Sequence, residues 1–163
     1  MFVEISDLTN KEKHMLPNCF RIILVMMYLL VIGVKAQEKQ TDDEIKVMQA
    51  CLGYLDGLYQ GDSSLIKKYV RPNLHKFGYI RSKETGGHIP YRNITYKEMI
   101  DYSKMVDSVD TLKKTGEVRR AVVLDISNHI AAAKVEAWWG TDYILLSRQD
   151  DYWIIDQVIW EQQ

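Results

Sequence analysis

Cysteine, proline and any surplus of one charge are what this sequence has least of, and each shortage removes a class of answer. Two cysteines, Cys19 and Cys51, cannot staple a disulfide-framed miniprotein. Three prolines and nine glycines in 163 residues exclude a collagen-like or proline-rich low-complexity chain. Bases number 21 and acids 22, so binding to nucleic acid by phosphate neutralisation has no compositional support. The four histidines, His14, His75, His88 and His129, show none of the short pairings of a zinc site. Gly86-Gly87 lacks the flanks of a phosphate loop, and no serine sits in a nucleophile elbow. Neither a metal nor a cofactor is expected. What remains, 47% apolar and 26% charged residues, is the composition of one globular domain.

The apolar residues are unevenly spread. Ile22 to Val34 is a run of 13 residues without a charge. As a helix it would span roughly 20 Å, short of a hydrocarbon core of roughly 30 Å. Lys11, Lys13 and Arg21 precede it, and Val34-Lys35-Ala36 sets small residues at the two positions that a signal peptidase inspects. We therefore expect residues 1–36 to be a signal peptide cleaved before Gln37, with Met15 an alternative start. The competing reading is a short anchor or buried helix. Cys19 lies before the apolar run rather than after it, against a lipid-modified cysteine. An exported domain of residues 37–163, periplasmic or secreted, follows, with no stable membrane anchor after cleavage. It keeps 17 bases and 19 acids once the leader's four bases (Lys11, Lys13, Arg21, Lys35) and three acids (Glu4, Asp7, Glu12) are gone. Only Cys51 remains, so a core must supply the stability.

That domain begins with helices. Thr41-Asp42-Asp43-Glu44 is a capping box, and Ile45, Met48, Leu52, Leu55 and Tyr59 recur at helical steps behind it. Gly61 stops the helix, and Asp62-Ser63-Ser64 caps a short second one, Ser64 to Val70, ended by Pro72. Thr95-Tyr96-Lys97-Glu98 opens a third helix with Met99, Tyr102, Val106 and Val109 inward. Later the period changes to two. Val118 to Ile126, Ile130 to Trp139, Asp142 to Arg148 and Tyr152 to Trp160 predict an antiparallel meander with turns at Ser127-Asn128-His129, Gly140-Thr141 and Gln149-Asp150-Asp151. Leu74 to Ile80 could add a short strand, and Ser82 to Pro90 reads as a loop. Helices followed by antiparallel strands make an α+β domain whose curved sheet wraps three N-terminal helices, leaving a pocket at the open end of a cone.

Specific stretches carry a resemblance. Tyr54-Leu55-Asp56-Gly57-Leu58-Tyr59-Gln60-Gly61-Asp62 resembles the segment closing the first helix of the putative lumazine-binding family, within the nuclear transport factor 2-like (SnoaL-like, cystatin-like) superfamily. Arg71 to Tyr79, Ala133 to Ala137, Trp138 to Leu146 and Trp153 to Trp160 are similar to its later segments, in order and spacing. The resemblance spans Asp42 to Trp160. It implies a cone-shaped α+β domain with a small-molecule pocket, often a homodimer through the outer face of the sheet. The same fold hosts isomerases, dehydratases, cyclases and binders without catalysis, so it leaves the activity open.

Each candidate residue has a plain structural alternative. His75, following Pro72, could exchange protons at a pocket mouth or merely satisfy the backbone. Lys76 could bind an anionic ligand, although a solvated lysine is the ordinary reading. Lys134 and Glu136 share a face with Trp138; if concave they belong to a pocket, and if convex they are solvated or contact a second subunit, which the alternation favours. Tyr54, Tyr79, Trp138 and Tyr143 are the rings most suited to stack on a planar ligand, although small-domain aromatics are mostly core. A steroid-isomerase mechanism needs a carboxylate between Pro72 and Ile80, and there is none. The expected function is therefore binding of a small planar or amphipathic molecule, with Tyr54, His75, Tyr79, Glu136, Trp138 and Tyr143 as contacts. The alternative is a dehydratase-like lyase or isomerase with His75 as general base and Asp125 or Asp56 behind it. The distance from His75 to a carboxylate facing the same cavity separates the two.

Overall fold

The structure, a computed structural model, describes residues 42–163. The expected signal peptide, residues 1–36, and the threonine of the first capping box lie outside the described residues. Helix α1 covers residues 42–59, α2 is Ser63–Tyr69 and α3 is Tyr96–Ser108. Asp62 caps α2 by accepting from the Ser64 amide. At the start of α3 both halves of the capping box form: the Thr95 hydroxyl accepts from the Glu98 amide, and Glu98 accepts from the Thr95 amide. Caps of this kind stabilise a helix start by about 1 kcal/mol. A short 3-10 turn, Asp110–Leu112, follows α3.

Six strands, β1 (Val70–Arg81), β2 (His88–Ile94), β3 (Arg119–Ile126), β4 (Ile130–Ala137), β5 (Gly140–Gln149) and β6 (Tyr152–Gln162), form one curved, unclosed sheet in the order β2-β1-β6-β5-β4-β3. The meander β3 to β6 is antiparallel, and β1 joins β6 in parallel. This is the expected α+β architecture. Three details differ from expectation. β1 begins at Val70, so Pro72 lies inside a strand, where the pairing with β6 shifts register between Val70 and His75 and no ladder amide is demanded of it. Part of the expected loop is a strand, β2, which pairs only with β1. The β4–β5 turn is Trp138-Trp139 rather than Gly140-Thr141, because Ala137 pairs directly with Gly140. Gly140 has φ +144°, a conformation that a side chain would strain.

The core lies between the helices and the concave face of the sheet. From α1 it takes Val47, Ala50, Cys51, Tyr54, Leu55 and Leu58, so the buried stripe is turned from the predicted one: Ile45 is half exposed, whereas Leu55 and Tyr59 are buried as expected. Ala131, Ala133, Val135 and Ala137 of β4, Ile144 and Leu146 of β5, and Trp153, Ile155, Val158 and Trp160 of β6 complete it. Val109 caps α3 rather than facing inward and is exposed. Helix α3 is fastened to α1 by the Ser103 hydroxyl, which donates to the Gly57 carbonyl at 2.6 Å. Gly78 permits a close strand contact: a Cβ there would sit 2.1 Å from the Trp160 carbonyl and 2.6 Å from its ring.

Candidate functional site

Concave-face positions repeat every second residue along a strand, and two buried ones are filled by charges. On β1, Leu74, Lys76 and Gly78 point inward. On β5, Gly140, Asp142, Ile144 and Leu146 do. Lys76 is 5% exposed and Asp142 is fully buried. Tyr54, projecting from α1, joins them: its hydroxyl donates to Asp142 Oδ2 at 2.7 Å and accepts from Lys76 Nζ. The Lys76 ammonium lies 3.4 Å from the same carboxylate oxygen, and Trp139 Nε1 donates to Asp142 Oδ1 at 2.6 Å. Both carboxylate oxygens are therefore occupied from the protein side. Burial of two charges is costly unless they are paired and hydrogen-bonded, and this pair is both.

The surroundings push the protons of this cluster in definite directions. Burial, reinforced by the Asp142 charge, holds the Tyr54 phenol well above its ordinary range, so it stays a donor. Burial pushes the Lys76 amine down while Asp142 pulls it up, with a net lowering. Cys51, on the next turn of α1, is raised to about 12 by burial and then by Asp142. Three rings surround the ammonium: Tyr54 at 5.0 Å, Trp139 at 5.5 Å and Trp160 at 6.0 Å from centroid to nitrogen. Such contacts favour the protonated form.

Above Lys76 opens a cavity of about 450 Å³. Its walls come from Leu58 of α1, Tyr91, Arg92 and Ile94 of β2, and Glu98, Met99, Asp101 and Tyr102 of α3, with Trp138, Trp139 and Trp160 across the opening. The β4–β5 turn is what carries the first two tryptophans here. Tyr59 anchors that turn: its hydroxyl donates to the Val118 carbonyl at 2.5 Å and accepts from the Trp138 amide at 2.8 Å. Trp139 is packed edge-on to Tyr54, Tyr59 and Trp138, while Trp138 itself remains 45% exposed. At the rim the charges are matched, Arg92 with Glu98 at 2.7 Å and Asp101 with Lys97 at 2.5 Å.

The expected contact residues divide between two faces. Trp138 lines the cavity, and Tyr54 lies behind its floor, holding Lys76. His75, Tyr79, Glu136 and Tyr143 are on the opposite, convex face. Inward Lys76 puts His75 outward by simple alternation, where it is exposed and leans on Phe77. Tyr79 is exposed at the same parity. Glu136 pairs with Lys134 at 2.9 Å and approaches Arg120 at 3.6 Å, and these contacts hold its carboxyl below the usual range. Tyr143 stands opposite Lys134 on the neighbouring strand. Asp125 sits exposed at a register shift in β3, with β6, β5 and β4 between it and β1. Asp56 is engaged with Arg119. The structure therefore brings neither carboxylate together with His75. It brings together Tyr54, Lys76, Asp142 and Trp139 instead.

Among the described residues no group of three or more histidine, cysteine or acidic side chains could hold a metal ion. Residues 42–161 match the family described as putative lumazine-binding. No curated protein matches the chain. The fold is similar to solved structures of low identity. An NTF2-like protein of unknown function from Methylobacillus flagellatus is 20% identical over 75% of this chain and 93% of its own, with a TM-score of 0.55. Another from Silicibacter pomeroyi is 12% identical over 73% and 94%, with a TM-score of 0.54. An NTF2-like protein with a cystatin-like fold from Novosphingobium aromaticivorans is 10% identical over 80% and 88%, with a TM-score of 0.52.

Proposed function

The chain belongs to the putative lumazine-binding family of NTF2-like domains, and from that premise we propose that it holds a small planar molecule in the cavity above Lys76 without transforming it. The observation that carries this reading is the composition of the cavity. About 450 Å³ is enclosed by Trp138, Trp139, Trp160, Tyr91 and Tyr102, with Lys76 as the one deeply buried charge among its lining residues. Pockets of this size, largely apolar with few placed polar groups, are typical of small-molecule sites. Flat rings stack on such walls with little ordering cost, because the tryptophans are already held by one another and by Tyr59. The binding reading is also supported by the separation of His75 from Asp125 and Asp56, which a dehydratase-like mechanism through His75 needs close together.

In this reading the domain is exported by the leader of residues 1–36 and acts outside the cytoplasm, as a homodimer through the convex face of the sheet. The experiment is a titration of the protein with lumazine, following tryptophan fluorescence and melting temperature. A ligand that prefers the native state raises its stability by about 2.7 kcal/mol at a hundredfold excess over Kd. Saturable quenching with a rise in Tm is expected, and Trp138→Ala should weaken both. No change in either signal, with lumazine and with a flavin alike, would count against a planar ligand.

A further inference from the structure

We propose that the cavity selects planar ligands that carry an anionic oxygen on one edge, a carboxylate or an ionised ring oxygen, and that Lys76 Nζ is the group that reads it. The inference rests on the binding reading above and narrows it to a chemical class.

The argument is an inventory of donors and acceptors. A lysine ammonium has three protons to donate. One goes to the Tyr54 hydroxyl and one points at Asp142 Oδ2 across 3.4 Å, longer than a direct charge-assisted bond of roughly 2.8 Å. Among the described residues no third acceptor bonds to Lys76, although the side chain is 5% exposed and forms part of the cavity wall. The counter-ion is set behind it. Asp142 is fully buried, is not part of the cavity wall, and has Tyr54 on one oxygen and Trp139 on the other. A ligand in the cavity therefore meets the cationic end of the pair and not the anionic end.

The other cation on the walls, Arg92, is more exposed and already paired with Glu98. The rim acids Glu98 and Asp101 are each neutralised by a cation, Arg92 and Lys97, so they do not oppose an anion by an unmatched charge. The remaining deep wall is apolar or aromatic, where a ligand anion without a partner would be strongly disfavoured. Lys76 is the one deeply buried cation on these walls, so a negative oxygen seats against it, with the buried, unpartnered indole N–H of neighbouring Trp160 as a second donor, and the ring then lies among Trp138, Trp139 and Trp160. A cationic ligand meets an ammonium it cannot displace.

Three bicyclic probes of similar shape test this on the full chain by calorimetry: 2-naphthoate, 2-methylnaphthalene and 2-naphthylmethylamine. The naphthoate should bind about tenfold more tightly than the methyl compound, which is the scale of one charge-assisted hydrogen bond partly offset by desolvation. The amine should bind more weakly than either. In the double variant Lys76→Met with Asp142→Asn, which removes both charges together, the naphthoate advantage should vanish while the methyl compound still binds. Equal affinity for the three probes, or an advantage that survives the double variant, overturns the inference and leaves the binding reading standing. Absence of binding by all three, with a folded protein, overturns both.

Discussion

Replacing Asp142 with asparagine should be among the most damaging single changes in this domain, although it alters only one atom's chemistry. The carboxylate accepts from Tyr54 at 2.7 Å and Trp139 at 2.6 Å, and faces Lys76 at 3.4 Å. An amide keeps one acceptor oxygen and offers a donor in place of the other. Whichever way it is turned, an N–H meets either the indole N–H or the phenol that already accepts from Lys76. One buried donor is left unmatched, costing about 1–3 kcal/mol. Lys76 also loses its counter-ion at 5% exposure, and breaking a buried pair by removing one partner costs about 3–5 kcal/mol. These penalties overlap, since the three side chains form one network, so a net loss of about 4 kcal/mol is expected.

Chemical denaturation followed by circular dichroism reads that loss directly as a lower midpoint at unchanged slope. A domain of this size loses roughly 3–5 °C of Tm per kcal/mol, so the melt should move by about 12–20 °C. The double variant with Lys76→Met supplies the control. With both charges gone, its loss should fall short of the sum of the single losses by about 2 kcal/mol, a coupling expected only of residues in one network. An Asp142→Asn protein within about 1 kcal/mol of wild type, or strictly additive losses, would refute the ion-pair reasoning, for which several kcal/mol are required.

Two further outcomes follow from the same geometry. Cys51 titrates at about 12 when folded against 9.0 as its ordinary value, so the folded state keeps a proton that the unfolded chain releases; its contribution is complete below pH 9.0 and is lost as pH rises toward about 12. At about 1.4 kcal/mol per unit, wild type should lose about 4 kcal/mol more over that window than Cys51→Ala, measured by urea melts, and parallel pH curves would contradict the burial of this thiol. On the convex face, Tyr143 and Leu145 of β5, Ile159 of neighbouring β6 and Leu124 of β3, beyond β4, are exposed apolar side chains. Leu145→Lys should raise a dimer dissociation constant by about a hundredfold in analytical ultracentrifugation; a wild type that sediments as a monomer at micromolar concentration removes the proposed interface.

How much of this was legible depended on the period and on the ends of each element. The caps at Asp62 and Thr95 are local chemistry, and both helix starts stand where those residues predict. The meander's alternation was strong because one face is core. β2 carries no such signal: it lies at a sheet edge, its residues His88 to Asn93 are all exposed, and Pro90 argues against a strand. The β4–β5 turn was misplaced by one pair because Gly140-Thr141 has turn composition, whereas the hairpin uses Trp138-Trp139 and the Tyr59 hydroxyl to hold it. That anchor is a tertiary contact between α1 and the turn, which no local rule reads.

The site was half legible for a related reason. Alternation along β1 was available: Leu74 is buried, so Lys76 must share its face and His75 the other. Residue type argued the opposite, because histidine suggests chemistry and an isolated lysine suggests solvent, and type prevailed over parity. Along β5 the parity of Ile144 and Leu146 likewise puts Asp142 inward, which is the signal that could have found the partner. A lysine and an aspartate on the core parity of two strands are each improbable alone, since neither can be buried without compensation. Found on the same sheet face, they explain one another, and the Tyr54 hydroxyl that joins them comes from the helix lying across that face. Charged residues at core parity are thus better read in pairs across a sheet than singly along a strand.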